Sequence, residues 1–274
     1  MTVYHMHLVS DATGETVNSV ARACLVQFKD IEPVEHNWTL IRTKGQVDKV
    51  LLAIGQDPGP VLFTMVNNEL RAALIDGCRN IGVPCISLLD PVIHTLANHF
   101  NLEVRGQPGL QHELDAEYFE RIEAMNYAML HDDGQHSKDL NEADVILCGV
   151  SRTSKTPTCI YLANRGVKAA NVPVVPGCPL PDELFAASAP LIIGLTKDPQ
   201  RLLQVRRNRL RLLGQKDEAT DYVDPDAIRE ELTFARRLFT SNDWPVIDVT
   251  RRSIEEIAAS ILNLYAGHRG RAAG

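Results

Sequence analysis

The chain has 274 residues, 45% of them hydrophobic and 23% charged, a globular composition that excludes wholesale disorder. With 28 Lys and Arg against 35 Asp and Glu, its net charge of −7 lacks the surplus a sequence-independent nucleic-acid binder needs. No apolar run approaches the roughly 20 residues of a membrane span. The opening Met1-Thr2-Val3-Tyr4-His5 shows no basic stretch leading into an apolar one, and the six cysteines have neither C-x-x-C nor zinc spacing. The expectation is a cytoplasmic protein with buried free thiols, binding neither nucleic acid nor membrane.

Strand-like runs alternate with amphipathic helices from the start, which predicts parallel sheet covered by helices. Val3–Val9 reads as a strand ending in the turn Ser10-Asp11-Ala12-Thr13-Gly14. Glu15–Phe28 follows as a helix with Val17, Val20, Ala21, Cys24 and Phe28 on one face. Trp38–Ile41 reads as a strand, Gln46–Ile54 as a helix, and Val61–Val66 as an apolar strand of the kind buried on both faces. Asn67 or Asn68 caps the helix Glu69–Ile81, and Gly82 stands where a helix-terminating glycine belongs. Pro84–Leu89 completes the strands of this half and Pro91–Phe100 its helices.

Arg105-Gly106-Gln107-Pro108-Gly109 breaks the pattern. A helix Glu113–Leu130 and the polar loop His131-Asp132-Asp133-Gly134 follow. A second α/β series then begins: strand Ala143–Val150, helix Pro157–Asn164, strand Val172–Val175, short helix Pro181–Ala187 and strand Leu191–Leu195. Helices Asp198–Leu213 and Pro225–Phe239, strand Pro245–Val249 and helix Ser253–Tyr265 complete it. The predicted organisation is an N-terminal α/β unit over 1–104, a connecting segment over 105–140, a nucleotide-binding α/β unit of P-loop-kinase type over 141–266, and a frayed tail over 267–274.

The most informative stretch is Gly149-Val150-Ser151-Arg152-Thr153-Ser154-Lys155-Thr156. It fits G-x-x-x-x-G-K-[ST] except that Ser154 replaces the second glycine, and it sits between a predicted strand and a predicted helix. Backbone N–H groups of such a turn form an anion-binding concavity, reinforced by the start of the next helix. Lys155 supplies a point charge for terminal phosphates, and the Thr156 hydroxyl can hold magnesium. Asp198, Asp243 and Asp248 are open as its carboxylate partner. Pro157 falls in the first helical turn, where its missing N–H is harmless. If position 154 requires positive φ, serine there is strained by about 1 kcal/mol.

The run Gly149–Thr158, continuing through Ile160-Tyr161-Leu162-Ala163 to Ala170–Pro176, resembles the bacterial pyruvate, phosphate dikinase regulatory proteins. So do His7–Thr16, Arg121–Met125 and His131–Gly134. The resemblance covers nearly the whole chain, and serine at 154 looks like the dikinase branch rather than the sister branch acting on phosphoenolpyruvate synthase. It implies a bifunctional enzyme. ADP serves as phosphoryl donor for an active-site threonine of the dikinase, and inorganic phosphate removes that group as pyrophosphate. A loop that cradles ADP then holds the reacting β-phosphorus, with Arg152 as a further clamp.

Phosphoryl transfer to a hydroxyl calls for a base or orienting group. His131, Asp132 and Asp133 form one polar cluster, and Asp11 occupies a strand-end turn of the kind where α/β sheets bind ligands. Each also has a plainer reading: an Asx-turn or helix cap for Asp11, a solvated turn for the aspartates, a helix-end partner for His131. Arg206 and Arg209 share a helical face and suit either an acidic partner or solvent. His5 and His7 alternate along the first strand and read as packing or edge residues rather than metal ligands, and Trp38 and Trp244 as anchors. Exposed helices can support a homodimer. The alternative functions are the same chemistry on phosphoenolpyruvate synthase, an ATP-dependent kinase for small metabolites, and a non-catalytic nucleotide sensor.

Overall fold

A computed structural model describes residues 3–29, 31–109, 116–212 and 221–272. The chain divides into two compact units, Met1–Glu113 and Leu114–Gly274. Each contains one four-stranded, all-parallel sheet.

The first unit runs β1 (His5–Val9), α1 (Glu15–Leu25), β2 (Val34–Trp38), α2 (Lys44–Gln56), β3 (Val61–Phe63), α3 (Asn68–Ile81), β4 (Cys85–Ser87) and α4 (Asp90–Phe100). Its strands lie in the order β2-β1-β3-β4. Asn67 caps α3 as expected: its Oδ1 accepts from the N–H groups of Glu69 and Leu70, both at 3.1 Å. Gly82 ends the helix at φ 82°. The second strand differs from expectation, since Trp38 closes it rather than opening it. The Val34–Trp38 stretch places Glu35, His36 and Asn37 between two apolar ends, as an edge strand can, so it carries no continuous apolar signal.

The second unit runs α5 (Ala116–Leu130), β5 (Val145–Gly149), α6 (Lys155–Ala163), β6 (Ala169–Pro173), α7 (Asp182–Ala186), β7 (Leu191–Thr196), α8 (Pro199–Leu212), α9 (Pro225–Ser241), β8 (Val246–Asp248) and α10 (Ile254–Ala272). Short 3-10 turns occupy Ser137–Glu142 and Asp221–Val223. The strand order is β6-β5-β7-β8. Every residue of β5 is buried, and its side chains serve two cores. Val145 and Leu147 pack with Leu162, Ile193, Ile257 and Ile261. Ile146 and Cys148 pack with Val172, Leu202, Ile228 and Phe239 on the opposite face.

Strand β6 begins three residues before its expected start. Ala169 and Ala170 are weak strand formers, but both are fully buried beside β5, and packing overrides propensity. Helix α10 continues past Tyr265 to Ala272. The Tyr265 hydroxyl donates to Asp144, and a His268 ring nitrogen lies 3.2 Å from the Ala189 carbonyl, so tertiary contacts hold a stretch whose polarity and glycines read as an end. The cysteines are free, but Cys24 and Cys178 are exposed rather than buried. Among the described residues no helix is long and apolar enough to cross a membrane.

Candidate active site

The loop joining β5 to α6 takes its shape from three features. Gly149 allows close approach, since a Cβ there would sit 2.7 Å from the Leu195 carbonyl oxygen and 2.9 Å from Thr153 Oγ1. The buried Thr153 hydroxyl donates to the Val150 carbonyl at 2.9 Å. Arg152 and Ser154 both adopt left-handed backbone, at φ 70° and 66°. Position 154 therefore does require the conformation glycine favours, and serine carries strain of about 1 kcal/mol there.

Three buried cations hold this loop through its carbonyls. Lys155, 6% exposed, donates from Nζ to the Val150 carbonyl at 3.1 Å. Lys197, immediately after β7 and 7% exposed, donates to the Arg152 carbonyl at 3.1 Å. Arg206, 1% exposed, reaches the Ser151 carbonyl at 3.4 Å and the Tyr222 carbonyl at 3.1 Å while pairing with Glu231 at 2.6 Å. Its guanidinium also lies 4.7 Å from the centre of the Tyr222 ring. The carbonyls of three consecutive residues, 150 to 152, are thus each taken by a cation. The N–H groups of Ser151, Arg152, Thr153 and Ser154 donate none of the hydrogen bonds found among the described residues. Burial pushes the pKa of Lys155 down to about 8, against the opposing pull of Asp133. Burial lowers that of Lys197 as well.

Arg206 corrects the expectation that it shares an exposed face with Arg209. Arg209 is exposed, but Arg206 lies in the interior as a brace for the loop. Arg152 lines the cavity beside the loop, and its Nε donates to the Tyr222 hydroxyl at 3.2 Å.

The polar loop after α5 reaches the start of α6 from the other side. The Thr156 hydroxyl donates to Asp132 Oδ1 at 2.8 Å. Asn171 on β6, 1% exposed, donates from Nδ2 to Asp132 Oδ1 at 2.5 Å, to Thr156 Oγ1 at 3.0 Å and to Asp133 Oδ1 at 3.3 Å. Backbone bonds from Asn171 to the His131 carbonyl and from Gly134 to the Asn171 carbonyl, at 2.9 and 2.8 Å, fasten the loop to β6. His131 stacks on Tyr127 with ring centres 3.8 Å apart, and its Nδ1 lies 2.9 Å from the Tyr127 carbonyl. Nδ1 therefore carries the proton, and Nε2 is buried without a partner among the described residues. The carboxylate beside Thr156 is Asp132, which precedes the loop in sequence, rather than Asp198, Asp243 or Asp248.

Between these walls lies a cavity of about 320 Å³ lined by Asp133, Ser151, Ser154, Lys155, Thr156 and Lys197 among others. Its chemistry suits an anion with an accompanying hard cation. Two ammonium groups and the first turn of α6 face a site with hydroxyl and carboxylate oxygens at one side. Thr156 and Asp132 form an all-oxygen donor set of the kind magnesium takes. Of the residues singled out in the sequence, Gly149–Thr156 and Asp132 come together here, and His131 lies behind them. Asp11 belongs to the first unit. There its Oδ2 accepts from the Val66 N–H at 2.8 Å, and it lines a separate cavity of about 360 Å³ with Thr13, Gly14 and Arg105. Lys197 and Asn171 join the site without any motif to mark them; only their strand positions at the carboxyl edge of the sheet carry a signal.

The two parallel sheets with flanking helices define an α/β protein, and the strained loop and buried lysines mark the carboxyl edge of the second sheet as its candidate site. The chain belongs to the kinase/pyrophosphorylase family, whose family model matches residues 6–262. It is 57% identical over 268 residues to a protein of Paramagnetospirillum magneticum provisionally named a pyruvate, phosphate dikinase regulatory protein, covering 98% of this chain and 86% of that one. Proteins with the same provisional name from Caulobacter vibrioides and Bradyrhizobium diazoefficiens are 55% and 51% identical. Those matches cover 98% and 96% of this chain, and 85% and 94% of the relatives.

Proposed function

We propose that the protein is a bifunctional regulator of pyruvate, phosphate dikinase. It inactivates the dikinase by moving the β-phosphoryl group of ADP to an active-site threonine. It restores activity by moving that group to inorganic phosphate, releasing pyrophosphate. The relatives' names support the target, and the family description supports paired kinase and pyrophosphorylase chemistry. The observation that carries the reading is the pair of buried lysines, Lys155 and Lys197, anchored to one loop beside one small cavity.

In the inactivating direction the threonine oxygen attacks the β-phosphorus, the bond to the bridging oxygen breaks, and AMP leaves. In the activating direction a phosphate oxygen attacks the phosphothreonine phosphorus, and the threonine oxygen leaves and takes up a proton. Both transition states spread negative charge over the oxygens of the transferred group. The N–H groups of 151–154, the start of α6 and the ammonium groups of Lys155 and Lys197 meet that charge with donors already in place.

Asp133 lines the cavity and takes the hydroxyl proton of the incoming threonine. Asp132 orients Thr156 and, with it, would hold magnesium, which supplies further positive charge at the phosphate oxygens. His131, fixed by Tyr127, positions the two aspartates. Asp11 braces the first unit through the Val66 amide.

The test uses dikinase carrying its catalytic phosphohistidine and ADP labelled in the β-phosphate. Label should move to threonine and then, on adding phosphate, appear in pyrophosphate. ADP that binds without transferring label would refute the kinase reading.

A further inference from the structure

The first unit holds a second cluster of chemistry-bearing side chains, at the amino-terminal edge of its sheet, opposite the end that leads to Asp11. His5 opens β1, His36 is the central residue of β2, and Asp57 terminates α2. The parallel register sets His7 against His36, so His5, His7 and His36 share one face. Their rings stack, with centroids 5.2 Å apart for His5 and His36 and 4.5 Å for His7 and His36.

One ligand atom from each of His5, His36 and Asp57 lies within 4.8 Å of the others. His5 Nδ1 is 3.0 Å from His36 Nε2; Asp57 Oδ1 is 3.9 Å from the other His5 ring nitrogen, Nε2, so the carboxylate must turn toward Nδ1 to share an ion with the two rings. Bonds of about 2.0–2.1 Å in tetrahedral array separate ligand atoms by roughly 3.3 Å, so the two imidazole nitrogens are already near that spacing. The His5 and Asp57 side chains are 23% and 48% exposed, which gives an ion a path in and leaves the carboxylate free to swing inward.

Surrounding residues hold this arrangement. Trp38 Nε1 can only donate, and it lies 3.2 Å from His7 Nδ1. The His7 proton therefore sits on Nε2, which donates to the Asp57 carbonyl at 2.8 Å. His7 is fully buried and has both nitrogens engaged, so it is a brace rather than a ligand. Gly59 completes the support. A Cβ there would lie 2.0 Å from the His5 carbonyl oxygen, so the chain leaving α2 presses against the start of β1 and keeps Asp57 beside the ring.

We propose that His5, His36 and Asp57 form a binding site for an imidazole-preferring divalent ion of the zinc class, with one coordination position left to water. The ion ties the edge strand β2, which among the described residues has β1 as its only strand neighbour, to both β1 and the end of α2. Two nitrogens and one carboxylate distinguish it chemically from the all-oxygen set around Thr156, so the inference stands apart from the phosphoryl-transfer reading.

The test takes the full-length chain, stripped with chelator and kept reduced without thiols, and titrates it with cobalt(II) and with zinc. One equivalent of cobalt should give the intense visible bands of a four-coordinate nitrogen and oxygen site. Zinc should raise the melting temperature. His36→Gln and Asp57→Asn, both at partly exposed positions, should each weaken binding by about tenfold or more with an unchanged circular dichroism spectrum. Wild-type protein that binds no zinc, or two variants that bind it as tightly as wild type, would overturn the site. Sulfur charge-transfer bands would do so too, by assigning the ion to cysteine.

Discussion

Lys155, which opens α6, and Lys197, which follows β7, donate to carbonyls two residues apart, those of Val150 and Arg152, each at 3.1 Å. They take carbonyls of the loop, while the N–H groups of residues 151–154 donate none of the hydrogen bonds found among the described residues. A ligand phosphate meeting those N–H groups therefore also lies near two positive charges kept out of water.

Removing the first charge tests whether it serves chemistry. Lys155→Met should slow phosphoryl transfer to the dikinase by on the order of 10²–10³ while the protein stays folded. Lys197→Met should slow it by roughly tenfold to a hundredfold. Transfer assays at saturating ADP separate this from a sensor that merely binds: a sensor would inhibit undiminished in both variants.

On the proposed reading, the lowered pKa of Lys155 makes ADP binding depend on pH. In the free site the side chain is charged below about pH 8 and neutral above it. Binding a diphosphate favours the charged form. Affinity should hold steady from neutrality to about pH 8 and then fall by about tenfold per unit. Calorimetric titration with ADP across this range measures the slope, and Lys155→Met should remove it.

Ser154 stands at φ 66°, where a Cβ is unfavourable. Ser154→Gly should gain about 1 kcal/mol from relief of strain, less what the freer unfolded chain regains. Ser154→Val should lose more than that. Urea unfolding midpoints at constant slope give the comparison.

Arg206 is a buried cation with its partner on α9. Arg206→Ala strips Glu231 of its ion pair and the Ser151 and Tyr222 carbonyls of their donor. A loss of about 3 kcal/mol is expected. Denaturation measures it, and ADP affinity should drop as well because the loop loses a support. Arg209→Ala, at an exposed position on the same helix, should leave both unchanged.

The two neighbouring aspartates should separate. Asp133→Asn should abolish transfer to threonine with ADP binding retained. Asp132→Asn should instead raise the magnesium concentration needed for half-maximal rate, since Thr156 loses its carboxylate partner. Rate measurements over a magnesium series distinguish the two.

The amino-acid order by itself determined the alternation of strands and helices, the cap and stop of α3, and the placing of Gly149–Thr156 between a strand and a helix. These depend on neighbours a few residues apart: periodicity, a capping side chain, a glycine in a turn. Local pattern also carried the reason Ser154 would be strained, but not that position 154 takes positive φ.

Tertiary structure alone decided the rest. Lys197 and Asn171 enter the site because β7 and β6 flank β5. Asp132 finds Thr156 across 24 residues. Arg206 reads as one arginine among several on a basic helix, yet Glu231, Tyr222 and the loop carbonyls bury it. The edge strand β2 and the alanine-rich β6 escaped the apolar pattern for the same reason. Each is held by strands and helices distant in sequence, and contacts of that kind leave no periodic trace in the residues that make them.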